Sequence, residues 1–199
     1  MARTFKEALE NRRSYYAIDN QSPINDDQIQ EIIDFAIKHV PSAFNSQSTR
    51  IVLLLGQHHL KLWDIVKETL RGMVPADKFG PTDNKINSFA AGYGTVLFFE
   101  DEKVVEKLQQ DFALYADNFP IWSQHTSGMH QLAVWTMLED AGYGASLQHY
   151  NPIIDDEVRK AWSLDSSWEL IAQMPFGGIV EGPGPKEMQP LDARRKVFK

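Results

Sequence analysis

The stretch 121–142 most constrains the fold of this chain. Its apolar and small side chains recur at helical spacing, and it ends in a glycine, the residue type that most often follows the last turn of a helix. The recurring positions are Met129, Leu132, Ala133, Thr136, Met137 and Ala141. Because the stretch carries little charge on any face, it predicts a long helix buried at the centre of the fold.

The segments around this helix alternate between strand and helix patterns. Helical periodicity predicts shorter helices over about 4–12, 26–39, 58–71 and 155–162, and apolar runs predict strands at 51–55, 95–99 and 168–174. Thr4 and Asp26 are the expected N-caps of the first two helices, and 145–150 is expected to be extended. Glycine and proline recur from about 177, which predicts an irregular C-terminal arm over 177–199. Together these patterns indicate an α+β fold.

Composition removes several classes of protein. The 199 residues suit one domain spanning 1–199. A net charge of −7, from 27 acidic and 20 basic residues, argues against a general binder of nucleic acid or of anionic membranes. The absence of cysteine excludes disulfides, thiolate metal sites and a cysteine nucleophile. With no apolar run of membrane-spanning length and no signal-peptide pattern, a cytoplasmic protein is expected.

The segment 41–47 concentrates hydrogen-bonding side chains between a predicted helix and a predicted strand. Serine, asparagine and glutamine supply donors and acceptors suited to a planar, polar ligand. The alternative is an ordinary helix-to-strand connection built from turn residues. Spacing alone favours that alternative. The basic segments elsewhere in the chain favour a ligand-binding role for this segment.

Two basic segments lie near the two ends of the chain. Arg12, Arg13 and Ser14 follow the first predicted helix, and Arg194 and Lys196 lie close to the C-terminus. Guanidinium, ammonium and hydroxyl groups are the donors that bind a phosphate group. The alternative for the first segment is a solvated helix end that interacts with the helix dipole. In an acidic chain with two such segments, we favour a phosphate site.

Four segments, taken in order, resemble the FMN-dependent nitroreductases, and in particular the short-chain subgroup of bacterial and fungal nitroreductase-like proteins. They are 12–16, 41–47, 144–152 and 194–198, and together they span nearly the whole chain. The resemblance implies a nitroreductase-like α+β fold with a mixed, mostly antiparallel sheet flanked by helices. It also implies an intertwined homodimer with its FMN sites at the subunit interface.

The resemblance also implies which residues contact the cofactor. The phosphate contacts would be Arg12, Arg13, Ser14, Arg194 and Lys196, and the remaining contacts would be Tyr16, Pro41, Ser42, Ala43, Asn45, Gln47, Ser146, Leu147, Gln148, His149 and Tyr150. The segment 41–47 would reach the flavin bound mainly by the other subunit. A backbone N–H near His149 and Tyr150 would donate to flavin N5, and no side chain would act as a catalytic residue.

One position departs from the family pattern. Many members carry a lysine or arginine two positions after the serine of the first motif, where this chain has Tyr16. A positive charge there would stabilise the anionic reduced flavin, so its absence bears on the redox potential and on the range of acceptors. Lys85 is a candidate replacement.

Residues near the start of the long helix are expected to line the substrate pocket. They are Phe119, Trp122, Gln124 and Ser127. Aromatic rings suit stacking on a planar substrate, and the alternative is ordinary core packing, which is the favoured interpretation for Phe89. The histidines lack carboxylates at metal-binding spacing, so no metal site is expected.

The activity implied by the resemblance is that of an FMN-dependent NAD(P)H oxidoreductase. NADH or NADPH would reduce the flavin, and a nitroaromatic, a quinone or a related small acceptor would then take its place and accept two electrons. Because both would use the same site in turn, ping-pong kinetics are expected. The alternative is a flavin-binding sensor or carrier of the same fold, without efficient turnover.

Overall fold

A computed structural model describes residues 4–199. These residues form α1 (Phe5–Asn11), α2 (Asp26–His39), α3 (Gln57–Arg71), α4 (Gly80–Ala90), α5 (Glu102–Asp111), α6 (Phe119–Asp140) and α7 (Asp155–Trp162). Their strands are β1 (Ile18–Asp19), β2 (Thr49–Leu55), β3 (Gly94–Asp101), β4 (Gly144–Ala145) and β5 (Trp168–Ile179). The α+β prediction is therefore confirmed.

The strands form one sheet of order β1-β5-β3-β2, with β4 also paired to β5. β2 pairs along its length with β3, and Thr49 lies opposite Glu100. All of these strand pairs are antiparallel. The predicted mixed sheet is therefore wrong for these strands, since the parallel contact within residues 4–199 is an isolated bridge between Ser14 and Ala145.

Helices cover both faces of the sheet. On one face, α2 and α6 pack on Val96 and Phe98 of β3. On the other face, α3, α4 and α7 pack on Leu97 and Phe99 of the same strand. Because successive residues of a strand point to opposite faces, this arrangement explains why all of β3 is buried and why its middle is a continuous apolar run.

The long helix predicted at 121–142 is confirmed as α6, which lies two residues earlier at each end. Gly142 follows it with a φ of 98°, a conformation that glycine adopts at low cost. The burial of α6 is one-sided, because Ile121, Met129 and Leu132 are 54%, 40% and 43% exposed. The predicted burial of this helix is therefore confirmed for one of its sides in a single chain, and the other side is exposed.

Some predicted boundaries change for identifiable reasons. Thr4 caps α1 as predicted, whereas Asn25 rather than Asp26 caps α2 and accepts from the backbone of the first turn. β5 extends past Gly177, so the irregular arm begins later than predicted. A Cβ atom at Gly177 would lie 2.1 Å from the carbonyl oxygen of Asp19. This glycine therefore allows β1 to approach β5 and does not mark the start of the arm.

Two further regions differ from the sequence pattern. The sequence does not predict α4, because it begins with Gly80 and Pro81 and is polar over much of its length. The region 145–150 is extended as expected, but β4 is short and Gln148 makes only an isolated bridge to Gln173. Across residues 4–199, no helix combines the length and apolar character needed to cross a bilayer.

Candidate functional site

A basic cleft opens beside the C-terminal end of α1. It has a volume of about 390 Å³ and is lined by Arg12, Arg13, Ser14, Tyr16, Pro183, Gly184, Pro185 and Lys186. Arg13 Nη2 donates to the carbonyl oxygen of Gly184 at 2.8 Å, which ties the C-terminal arm to the first motif. Lys186 adds an ammonium group that the sequence pattern did not single out, because it follows a stretch of glycine and proline.

Arg12 is placed to receive an anionic ligand. It is the C-cap residue of α1, and its guanidinium lies 4.4 Å from the centre of the Trp135 ring of α6. Its Nε atom is buried and has no hydrogen-bond partner within the described part of the chain. Because a buried donor without an acceptor is unfavourable, the arrangement fits a phosphate oxygen at this position.

The first motif and the segment after α6 meet beside this cleft. Tyr15 N–H donates to the carbonyl oxygen of Ala145 at 2.9 Å, and Ser14 forms the parallel bridge to Ala145. The phosphate segment and the ring segment inferred from the sequence therefore lie side by side in one chain.

Gln173 of β5 fixes the stretch that follows β4. The N–H of Gln148 donates to the Gln173 carbonyl at 2.7 Å, and the Gln173 N–H donates back at 2.9 Å. Gln173 Oε1 accepts from the Tyr150 N–H at 2.7 Å. The Tyr150 amide is therefore not available to a flavin, and that part of the prediction is wrong because β5 supplies its acceptor. His149 is exposed, and its N–H has no partner within residues 4–199, so it is the candidate donor.

The side chains before His149 point into the protein. Ser146 is fully buried and its Oγ accepts from Gln148 Nε2 at 3.0 Å, while Leu147 packs against the core beneath α6. The side chains of Ser146 and Gln148 are therefore hydrogen-bonded to each other inside the protein. The backbone is therefore the part of this stretch that can contact a ligand.

Tyr16 lies at the rim of the basic cleft and is 54% exposed. Its ring centre is 6.3 Å from that of Phe89, and Lys85 Nζ lies 6.0 Å from the centre of the same ring. Phe89 is fully buried, so its interpretation as a core residue is confirmed. Tyr16 and Lys85 therefore share Phe89 as a neighbour.

The segment between α2 and β2 adopts a strained backbone. Phe44, Asn45 and Gln47 have φ angles of 57°, 52° and 51°, a region that residues with side chains rarely adopt. Gln47 N–H donates to Ser42 Oγ at 3.0 Å, and the Gln47 carbonyl accepts from Arg50 Nη1 at 2.8 Å. Such conformations persist only where the surroundings fix them, and they cluster at binding sites.

This loop presents hydrogen-bonding groups to solvent. The side chains of Asn45 and Gln47 are exposed, and their amides make no hydrogen bond within residues 4–199. Pro41, at the start of the loop, is exposed as well. Two free amides on a fixed backbone match the requirements of a planar ligand with carbonyl and imino groups.

An aromatic cluster lies on one side of the loop. Phe44 is 52% exposed, and its ring stacks on Trp122 at 6.1 Å with an interplanar angle of 18°. Phe112, Tyr115 and Phe119 also contact Phe44, at 4.9, 6.1 and 5.3 Å. The adjoining cleft of about 430 Å³ is lined by Ala43, Phe44, Trp122, His125, Thr126 and Met129. An exposed aromatic wall of this kind suits a planar aromatic ligand. Phe44 lies inside the predicted motif, yet only the structure shows its role.

Two of the predicted pocket residues face elsewhere. Gln124 projects toward β5, where its Nε2 lies 3.5 Å from Glu169 Oε2. Ser127 is fully buried and accepts from Gln131 at 3.0 Å. A helix turns by about 100° per residue, so Trp122 shares a face with neither of them. Of the four predicted pocket residues, Trp122 lines the aromatic cleft, and Phe119 is buried against the Phe44 ring.

A polar cleft lies on the other side of the loop. It has a volume of about 280 Å³ and is lined by Ile37, Val40, Ser42, Gln47, Thr49, Arg50, Ile51, His130 and Trp168. Behind Thr49, the carboxyl group of Glu100 is fully buried, and this burial raises its pKa to about 7. The sequence gives no sign of this group, because an acidic residue after an apolar run reads as an ordinary strand end.

The two parts of the predicted cofactor site lie at opposite ends of α6. Arg12 contacts Trp135 near the C-terminal end, whereas Phe44 contacts Trp122 near the N-terminal end. At 1.5 Å per residue, about 20 Å of helix axis separates these two tryptophans. Within one chain, the basic cleft and the loop 41–47 are therefore far apart.

The second basic segment does not join the first within one chain. Arg194 and Lys196 are exposed in the arm that follows the short turn Leu191–Ala193, and neither lines the basic cleft. The predicted convergence of these two residues on Arg12 is therefore wrong for a single chain, and Lys186 contributes the lining cation instead.

Comparisons with known proteins agree with this architecture. The profile of the Nitroreductase family matches residues 9–178. The Saccharomyces cerevisiae protein HBN1 is 40% identical over 187 residues, which cover 92% of each chain. Nitroreductase CinD from Lactococcus lactis, solved with chloramphenicol and with 4-nitrophenol, is 43% identical, with TM-scores of 0.91 and 0.90 over 98% of this chain and 100% of that one. A chain from Exiguobacterium sibiricum, solved in complex with FMN, is 14% identical and has a TM-score of 0.73 over 100% of this chain and 99% of that one, a likeness of fold alone.

The chain therefore belongs to the nitroreductase family and has the nitroreductase fold. Members of this family are oxidoreductases. The matched stretch includes Arg12, Asn45 and His149, whereas Arg194 and Lys196 lie outside it.

Proposed function

We propose that this protein is an FMN-dependent NAD(P)H oxidoreductase that reduces small aromatic acceptors, with nitroaromatic compounds and quinones as the expected classes. The observation that carries the proposal is the basic cleft, which contains the unpartnered Nε of Arg12. The motif that holds Arg12 pairs through Ser14 with the stretch that ends at the exposed His149. A free cationic donor beside a free backbone donor fits a ligand that joins a phosphate to a planar ring.

The chain's own residues would hold FMN at both of its ends. Arg12, Arg13, Ser14 and Lys186 would bind the phosphate, and the exposed N–H of His149 would donate to the ring. When bound, FMN supplies the two-electron chemistry that the side chains of this cleft lack.

Tyr16 stands where many members of the family have a lysine or arginine, and this difference affects how the site stabilises the reduced flavin. A phenol at the cleft rim stabilises an anionic reduced ring less than an ammonium group does. Lys85, whose Nζ lies beside the same Phe89 ring as Tyr16, would supply part of the missing charge.

We infer that the functional unit is a homodimer of single-domain chains. Several apolar side chains are left exposed on α6 and on the two helices that pack against it. They are Phe5 and Leu9 of α1, Phe35 and Ile37 of α2, and Ile121, Met129 and Leu132 of α6. Exposed apolar faces of this kind are typical of protein–protein interfaces. About 20 Å of helix axis separates Trp122, which contacts the loop 41–47, from Trp135, which contacts Arg12, and this separation supports a site that each chain completes for its partner.

The aromatic cluster supports an aromatic acceptor. Phe44 and Trp122 present stacked rings beside an open cleft, and the related CinD was solved with 4-nitrophenol, a nitroaromatic compound. A reductant and an acceptor that use one face of the ring in turn would give parallel lines in double-reciprocal plots, the signature of ping-pong kinetics.

Purified protein tests the activity directly. The protein should retain added FMN through gel filtration, NADH or NADPH should bleach the flavin absorbance within seconds, and a nitroaromatic compound or a quinone should restore it. Retention of FMN without bleaching would support the sensor or carrier alternative instead. Protein that stays colourless after the addition of FMN would contradict the proposal.

Mixed dimers test whether the loop acts on the partner's site. Arg12→Ala and Asn45→Ala chains are each expected to bind FMN poorly alone. If one site uses Arg12 of one chain and Asn45 of the other, a mixed dimer contains one intact site, and random assortment restores roughly a quarter of the sites. No recovery on mixing and refolding the two variants together would place both residues in the same site of one chain.

A further inference from the structure

Glu100 is a buried carboxyl group that holds the end of the loop 41–47. It is fully buried at the end of β3, opposite Thr49 of β2. Thr49 Oγ1 donates to Glu100 Oε1 and Ser48 Oγ donates to Glu100 Oε2, each at 2.6 Å. Lengths near 2.6 Å are typical of hydroxyl groups that donate to an ionised carboxylate.

No cation pairs with this carboxyl group within residues 4–199. Arg50 lies beside it on β2, but its Nη2 forms an ion pair with Asp101 at 2.9 Å. The other charged or titratable groups that face it are Glu102 at the start of α5, Glu169 of β5 and His130 of α6. A buried carboxyl group without a cation is unfavourable, so its two hydroxyl donors carry most of its stabilisation.

These two donors anchor the strained loop. Ser48 follows Gln47 directly, its carbonyl accepts from the Asp101 N–H at 2.9 Å, and its Oγ lies 3.5 Å from Ser46 Oγ. Reorientation of Ser48 would therefore be transmitted to Gln47, whose φ angle is 51°. The strain of the loop persists only while such contacts hold it.

A chain of hydrogen bonds sets the direction of these donors. His130 Nδ1 lies 3.0 Å from the carbonyl oxygen of Thr126, and a carbonyl oxygen can only accept, so Nδ1 carries the proton. The same Nδ1–H also faces Thr49 Oγ1 at 3.3 Å, and the Thr49 hydroxyl is therefore directed to Glu100. Protonation of Glu100 would turn one acceptor into a donor and force one hydroxyl group to reorient.

We propose that Glu100 is a positioning residue whose ionised form holds the loop 41–47 in the conformation that contacts FMN, so that loss of its negative charge weakens FMN binding. The proposal rests on the proposed function, because the loop is taken to contact the flavin. Glu100 itself touches no ligand and acts through Ser48 and Thr49.

The test is the pH dependence of the dissociation constant for FMN, measured by quenching of flavin fluorescence on the full chain. For the wild type, we expect binding to weaken about tenfold as the pH falls through about 7. Glu100→Gln should bind about tenfold more weakly at alkaline pH and keep only the pH dependence that comes from the FMN phosphate. Glu106→Gln, an exposed carboxylate on α5, is the matched control and should follow the wild type. The ionisation of the FMN phosphate affects all variants equally.

Ser48→Ala provides a second signature, which remains readable if Glu100→Gln folds poorly. It removes one donor from the ionised carboxylate, so the step should move to higher pH. If the wild type binds FMN and all variants share its pH profile, this inference is wrong while the proposed function stands. If the wild type binds no FMN at any pH, the proposed function fails, and this inference fails with it.

Discussion

The two ends of α6 hold their candidate cofactor contacts in opposite ways. At the Arg12 end, backbone pairing through Ala145 and β5 fixes the elements, and the cleft is positively charged. At the Phe44 end, the loop carries free amides and aromatic rings, and side chains hold its strained backbone. The Arg12 end has the cationic donors, and the Phe44 end has the amides and aromatic rings. The groups that FMN needs are therefore divided between distant parts of one chain.

The difference in how the two ends are held has consequences for their stability. A backbone bridge such as the one between Ser14 and Ala145 does not depend on any titratable group. The loop depends on Ser42, Arg50 and, through Ser48, the carboxyl group of Glu100. We therefore expect substitutions at the first end to weaken FMN binding strongly under all conditions, and substitutions at the second end to give smaller, condition-dependent effects.

The largest expected effect is at the Arg12 end. Arg12→Ala removes a half-buried arginine whose buried Nε would donate to the phosphate, and the loss of about 3 kcal/mol corresponds to roughly a 100-fold weaker binding of FMN. Fluorescence titration with FMN measures this, and Arg195→Ala, an exposed arginine, serves as the control. Equal affinities of the two variants would contradict the assignment of the phosphate site.

Asn45→Ala should have a smaller effect, about tenfold in the dissociation constant for FMN, because one neutral amide is lost. Since the loop would act on the partner's site, FMN loss should increase as the protein is diluted. Gel filtration with absorbance detection at several protein concentrations measures this. The loss should exceed that of His149→Ala, whose contact comes from the backbone. A loss independent of concentration would argue against a site shared between chains.

Glu100 makes the stability of the chain depend on pH. Its pKa is raised from 4.5 to about 7 in the folded state, mainly by burial, so the folded state binds more protons between these values. The unfolding free energy therefore falls as the pH rises through this window and stays lower above it. Glu100→Gln should reduce this fall by about 1–3 kcal/mol, measured by urea denaturation at about pH 5 and pH 8. Glu106→Gln should keep the wild-type difference.

The smallest expected effect concerns the strain at Phe44. Glycine adopts a φ near 57° readily whereas alanine does not, so Phe44→Gly should be more stable than Phe44→Ala by about 0.5–1 kcal/mol. Denaturant midpoints compare the two variants. Both lose the stacked ring and should raise the KM for nitroaromatic acceptors to a similar extent. Greater stability of Phe44→Ala would show that the loop relaxes out of this conformation.

The sequence correctly predicted those elements that depend on residues close together in the chain, such as helix periodicity and N-caps. The spacing of apolar residues located α6, and Thr4 was correctly predicted as the N-cap of α1. The first motif and the stretch around His149 were recognisable because their residue types recur in a family, and the structure brings them together.

Features that depend on tertiary contacts were beyond the sequence. Gly177 read as the start of an arm because its reason, the close approach of Asp19, lies on another strand. Ser127 read as a pocket residue because its helix gives no sign of which face the sheet covers. Glu100 could not be singled out, since its burial and its two donors appear only when β2 pairs with β3.

Gln173 gives the sheet an unexpected influence on the candidate flavin environment. It is fully buried, pairs with Gln148 through its backbone, holds the Tyr150 amide through Oε1 and donates to Asn151 Oδ1 at 3.3 Å. A slip of β5 by one residue would turn this side chain to the opposite face and release the Tyr150 amide. The register of β5 therefore determines how many backbone N–H groups remain free to donate to a bound ring. It does so through Gln173, which is not among the residues expected to contact the ligand.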